Sequence, residues 1–143
     1  MNQRGAERLS VLARALPGVT ASIFASVPLA IAYSIYGIAS SPEGFSVAYM
    51  LLGTLATVLG SLVVSAVASV VLGIPIYAAA VLARAPRAPT LIVAASIGGV
   101  AVFESLGGGQ LVDDIQSVAW FAFFGAVSGA AFWFGAERWS HSK

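Results

Sequence analysis

The chain has 143 residues, of which 59% are hydrophobic and only 9% charged, with a net charge of +1. Soluble domains carry about 25% charged residues, so this balance, with a mean hydropathy of +0.92, points to a lipid environment. The charge leaves no basic surface for nucleic acid, the lack of cysteine excludes disulfides, thiolate chemistry and Cys-ligated metals, and His141 alone excludes a bis-histidine haem.

Strand-period alternation in blocks of about ten residues is lacking, which argues against an outer-membrane barrel. The seven basic and six acidic residues instead bound charge-free runs at 15–42, 44–83, 88–103 and 115–136. A spanning helix needs about 17–25 apolar residues. Three runs are long enough, and 88–103 suffices if its helix continues through Glu104. The expected fold is therefore all-α and polytopic, with four transmembrane helices in two hairpins.

Residues 1–17 form a juxtamembrane segment. Leu9, Leu12 and Leu16 share one helical face, which suits a short amphipathic helix at the membrane surface, ended by Pro17 and Gly18, or a basic tail that only orients the chain. The four-helix bundle is expected over 18–136. The first apolar run far exceeds the roughly 7–15 residues of a signal-peptide core, and no good cleavage site follows, so it reads as an uncleaved helix. Helix 1, from about Thr20 to Ser40, carries Pro28 in its interior, where a proline removes a backbone bond and kinks a helix. Tyr33 and Tyr36 mark its far, interfacial end.

Helix 2 begins near Ser46. One straight helix over 44–83 would extend roughly 60 Å against about 30 Å of hydrocarbon. The expected solution is one long helix to about Leu72, a break or kink near Pro75, in "GIP", and a further helical piece to Ala83. Helix 3 covers about Pro89–Leu106 and helix 4 about Ile115–Ala136, before a polar tail at 137–143. The starts of helices 2 and 4, "SVAYMLLG" and "SVAWFAFFG", are similar, consistent with two hairpins related by an axis along the membrane normal.

All seven Lys and Arg residues then fall on one side: Arg4, Arg8 and Arg14 before helix 1, Arg84 and Arg87 between helices 2 and 3, Arg138 and Lys143 after helix 4. Glu43, Glu104, Asp113 and Asp114 fall on the other. The positive-inside rule places both termini in the cytoplasm of a bacterial inner membrane.

Two groups of residues stand out. The stretch "AVFESLGGGQLVDD" (101–114) puts Glu104 just inside the outer end of helix 3. In one reading Glu104 snorkels to the interface, the glycines stop the helix, and Asp113 or Asp114 caps helix 4. In the other, Glu104 holds a proton or cation inside the bundle, with Gln110 or Asp113. The acids do not follow the alternate spacing of a calcium loop, and no metal or cofactor is expected. The second group is a ridge in helix 2, where Ser61, Ser65, Ser69 and Gly73 recur every four residues; Gly125 and Gly129 repeat the spacing in helix 4, and Ala95 and Gly99 in helix 3. Small residues at this interval let a second backbone approach closely, within the chain or from a partner. Unaccompanied by charge, the serine hydroxyls are expected to bond carbonyls or a neighbouring helix rather than line a polar path.

"GIPIYAAAVLARAPR" and "GAVSGAAFWFGAERW" resemble segments of short four-helix inner-membrane proteins of proteobacteria, which have a proline at the end of helix 2 and a glycine-rich helix 4. That resemblance implies the four-helix architecture and no activity. The chain does not resemble the small multidrug transporters, which place a glutamate in helix 1, nor does it show the polar and glycine patterning of the small fluoride channels.

No nucleophile–base constellation is present, since no His or Lys lies within a span. The expectation is a non-enzymatic membrane protein that lies in the lipid bilayer and contacts another membrane protein, as an accessory, regulatory or immunity-type subunit. The alternative is a small transporter or channel built by self-association, with Glu104 as its proton or cation site.

Overall fold

A computed structural model describes residues 3–40, 46–107 and 115–138, and these are helical almost throughout. Four helices make up the described chain: α1 (Gln3–Ala39), α2 (Val47–Leu82), α3 (Arg87–Gly107) and α4 (Ile115–Arg138). Ser10–Ala39, Val47–Leu82 and Ile115–Arg138 are long and apolar enough to cross a membrane. α3 does continue through Glu104, to 21 residues, which at about 1.5 Å per residue is some 30 Å.

Two helix boundaries differ from expectation. α1 is a single helix of 37 residues that passes through both Pro17 and Pro28, so residues 1–17 are not a separate surface helix ended by Pro17. The reason is packing. Ala15 and Gly18 are buried on the same face as Ser22, and Val11 packs on the core cluster, so α4 holds the helix on both sides of the proline. Leu12 and Leu16 are exposed.

The other difference is at Pro75, where α2 is not broken. Its α-helical part, Val47–Ala68, runs into a π turn at Ser69–Gly73 and resumes as Ile74–Leu82, with Pro75 in the first turn of that last piece. In the π turn the Ile74 N–H bonds to the Ser69 carbonyl, five residues back. A proline inside an α-helix lacks an N–H and presses its ring on the carbonyl four residues earlier; the wider turn immediately before it relieves both and keeps the rod continuous.

The ends of α2 are capped by local chemistry. Ser46 is extended (ψ 147) and its side chain accepts from the Tyr49 N–H, satisfying one of the first-turn donors. At the other end Ala85 N–H bonds to the Ala80 carbonyl and Arg84 N–H to the Val81 carbonyl, a Schellman closure in which Arg84 takes the left-handed position at φ 53.

The core lies where the N-terminal part of α1, the C-terminal parts of α2 and α4 and the N-terminal part of α3 meet. Ala15, Tyr77, Leu91, Phe132 and Ala136 form the buried cluster there. A methyl group at Gly18 would lie 2.6 Å from the Phe132 carbonyl oxygen, and one at Gly135 2.5 Å from that of Pro17, so α1 and α4 approach backbone to backbone. α3 and α4 do the same: a methyl at Gly125 would overlap the Ala95 carbonyl, one at Gly99 the Phe121 carbonyl, and one at Gly129 would stand 2.6 Å from the Leu91 carbonyl oxygen. At the far end, Tyr33 meets Trp120 and Phe121 edge-on at 6.2 Å, and Gln116 donates to the Tyr36 hydroxyl.

Candidate functional site

Helix α2 is packed differently from the rest. Its Val47–Ala68 part has no buried residue and rests on α1, whereas α3 is reached by the π turn and the Ile74–Leu82 piece. A cleft is left between the upper part of α2 and α3, floored by α4 and α1, and it holds a cavity of about 320 Å³.

All six candidate packing residues border this cavity: Ser61, Ser65, Ser69 and Gly73 from α2, and Gly125 and Gly129 from α4. The glycines of α4 are already pressed against α3. Gly73 is in contact with the Phe132 ring, toward which a methyl would come within 2.9 Å. The upper ridge is left beside the opening, with Gly60 next to it meeting nothing within 4 Å.

Hydroxyl chemistry in the cleft is mostly spent on the backbone. Ser61 Oγ donates to the Val58 carbonyl at 2.8 Å and Thr57 Oγ1 to that of Gly53 at 2.9 Å, the local back-bonding favoured where water is absent. Ser69 differs: its hydroxyl donates across to Ser22 Oγ of α1 at 3.0 Å, with both side chains buried.

Glu104 is placed apart from the cavity, three residues before the end of α3, half-buried and with its Oε2 atom buried. Asp113, with Gln110 and Asp114, lies outside the described residues, so the pairing of Glu104 with Asp113 is not among the described contacts. Among the described residues no three His, Asp or Glu side chains gather as metal ligands do.

Two features escaped the sequence reading. One is a polar tie at the core end: Arg87 bonds Glu137 Oε1 at 2.7 Å, and the buried Tyr77 donates to the same oxygen at 3.1 Å. Three helices are thereby joined through one carboxylate, although Glu137 reads as tail and Arg87 as loop. Spacing gave no signal for it. The other is Ser22. Gly18, Ser22, Ser26 and Ala30 recur every four residues on α1 and all are buried, the same interval as the α2 ridge, so this signal was present in the sequence. No protein-family profile matches the chain, and no characterised protein and no solved structure is recognisably similar to it.

Proposed function

We propose that this chain is a four-span protein of a bacterial inner membrane, with both termini cytoplasmic, that acts without catalysis by contacting another membrane protein through its helices. It is an accessory, regulatory or immunity-type subunit. One observation carries the reading: the Val47–Ala68 part of α2 rests on α1 and presents the upper part of its serine ridge, Ser61 and Ser65, to an open cleft. In a bilayer, where apolar burial gives helices little reason to associate, ridges of small residues are what a second helix packs against.

The first third of α1 extends beyond the hydrocarbon, since the whole helix is about 55 Å long, and carries the N-terminal arginines into the cytoplasm. Glu104 supports a second reading, a homo-oligomeric transporter or channel, because one carboxylate oxygen is buried close to the outer end of a span and an intramembrane acid is rarely placed there without a task.

Gentle extraction from the native host, followed by native mass and identification of co-purifying chains, tests the two. The partner reading expects a stoichiometric second chain that Ser61→Leu and Ser65→Leu release. A homo-oligomer of this chain alone sinks it. The transport reading then expects Glu104→Gln to abolish ion flux into vesicles.

A further inference from the structure

One polar device in the cleft is not accounted for by helix packing. Ser22 and Ser69 are 2% and 6% exposed, both border the cavity, and they share one hydrogen bond. Two hydroxyls carry two hydrogens, and their mutual bond uses one of them. Ser26 spends its hydrogen on the Ile23 carbonyl and Ser61 on that of Val58. The second hydrogen of the Ser22–Ser69 pair has no acceptor among the described residues. A buried O–H without an acceptor is costly in an apolar medium, so the pair is a donor waiting at the cavity wall.

The depth of the pair narrows what could accept. Ser22 is eight residues beyond Arg14 on α1, and Ser69 eight before Tyr77 on α2, so at about 1.5 Å per residue both lie roughly 12 Å from the basic end of the bundle. With that end at the membrane surface, as in the reading proposed above on which this step rests, the pair is well inside the hydrocarbon. Phospholipid ester groups stay at the interface and cannot reach it. A partner helix, about 10–12 Å wide with its side chains, can lie across the mouth of the cleft at Ser61 and Ser65 but cannot enter the roughly 320 Å³ behind it to reach the pair; that volume is at the lower end of small-molecule pockets, about 300–1,000 Å³. Phe121 and Phe124, stacked at an interplanar angle of 29°, and Phe132 add flat apolar surface to the wall.

We propose that this cavity binds a membrane-dissolved quinone, with its ring among the phenylalanines and one carbonyl oxygen accepting from the Ser22–Ser69 pair. The test uses the full chain in phosphatidylcholine nanodiscs, titrated with decylubiquinone and followed by tryptophan emission, because Trp120 borders the cavity. Quenching is expected to saturate. Ser22→Ala with Ser69→Ala removes both hydroxyls together, leaves neither unpaired, and should weaken the apparent affinity about five- to tenfold, the worth of one hydrogen bond. Ser65→Leu should abolish saturation by filling the cavity, while Gly53→Leu, at a site with nothing within 4 Å and away from the cavity, should leave it unchanged. Linear, unsaturable quenching in the unaltered protein overturns the proposal. So does saturation that the double alanine variant leaves intact, which would mean an apolar occupant held without a hydrogen bond. Quenching of the same tryptophans by phospholipids spin-labelled midway along the acyl chain reports membrane embedding by itself, so failure of the spanning reading is told apart from failure of the quinone site.

Discussion

Arg84 is the one described non-glycine residue with a left-handed backbone, φ 53, at the position of the α2 closure that glycine normally fills. An L-residue with a Cβ is disfavoured there by about 1–2 kcal/mol. Arg84→Gly is therefore expected to stabilise the fold by about 1 kcal/mol, less the backbone freedom that glycine adds to the unfolded chain, read as a rise in the thermal midpoint by tryptophan fluorescence. Gly125 presents the opposite case. Its missing Cβ is where the Ala95 carbonyl sits, so Gly125→Ala must push α3 and α4 apart, and overpacking of this kind costs about 1–3 kcal/mol. Gly53→Ala, with open space around it, should be neutral or stabilising by up to about 1 kcal/mol, since alanine is the better helix former. Equal effects of the two alanines on the thermal midpoint would refute close α3–α4 approach.

At the scale of the element, α2 works through its phase. Residues after the π turn are rotated relative to an uninterrupted α-helix, and that rotation brings Tyr77 to Glu137 and leaves Val71, 60% exposed, pointing outward. The π turn accommodates one extra residue, so deleting Val71 would restore α geometry with everything after it in nearly its present phase, whereas inserting an alanine after Val71 would turn all of it by about 100°, moving Tyr77 off the carboxylate and out of the core cluster. The insertion should lower the thermal midpoint severely or prevent folding, whereas the Val71 deletion and Val71→Ala should be far milder; comparing the three by expression and melting checks the point. Such phase effects limit what a sequence reveals. The existence of helices was legible from charge-free runs, and the start of α2 from Ser46, because both depend on local composition. The course of α2 past Pro75 was not, because proline announces a difficulty and only tertiary packing chooses between a break and a wider turn. Continuity of α1 through Pro17 is the same lesson, decided by the face carrying Ala15, Gly18 and Ser22 against α4. The ridge of α2 was legible as a pattern, but its position beside an open cleft was not, since spacing names a face and not what covers it.

For the whole molecule, the asymmetry of charge is the strongest organising constraint. Arg14 adjoins Ala15 within α1, Arg87 and Arg138 lie close in sequence to Leu91 and Ala136, and Arg84 follows the end of α2 beyond Tyr77, so these arginines gather toward the Tyr77 cluster, while Glu104 is near the opposite end of α3. Arg87 is neutralised locally by Glu137 at 2.7 Å, and Arg138 stacks on Phe134 at 4.9 Å; neither contact removes the end's positive excess. Translocating that end would carry several arginines through hydrocarbon at about 2.5–3.5 kcal/mol each on insertion scales, against little resistance from the acidic end, where acids contribute weakly to orientation. One orientation should therefore dominate in the membrane. The chain has no cysteine, so single introduced thiols report it cleanly. A membrane-impermeant maleimide applied to intact cells should label Ser41→Cys and Gly108→Cys, and should reach Ser142→Cys only after lysis. The reverse pattern would invert the topology and move Glu104 to the cytoplasmic side. Comparable labelling of all three before lysis would mean that both orientations coexist, and that the seven basic residues do not decide how this chain enters the bilayer.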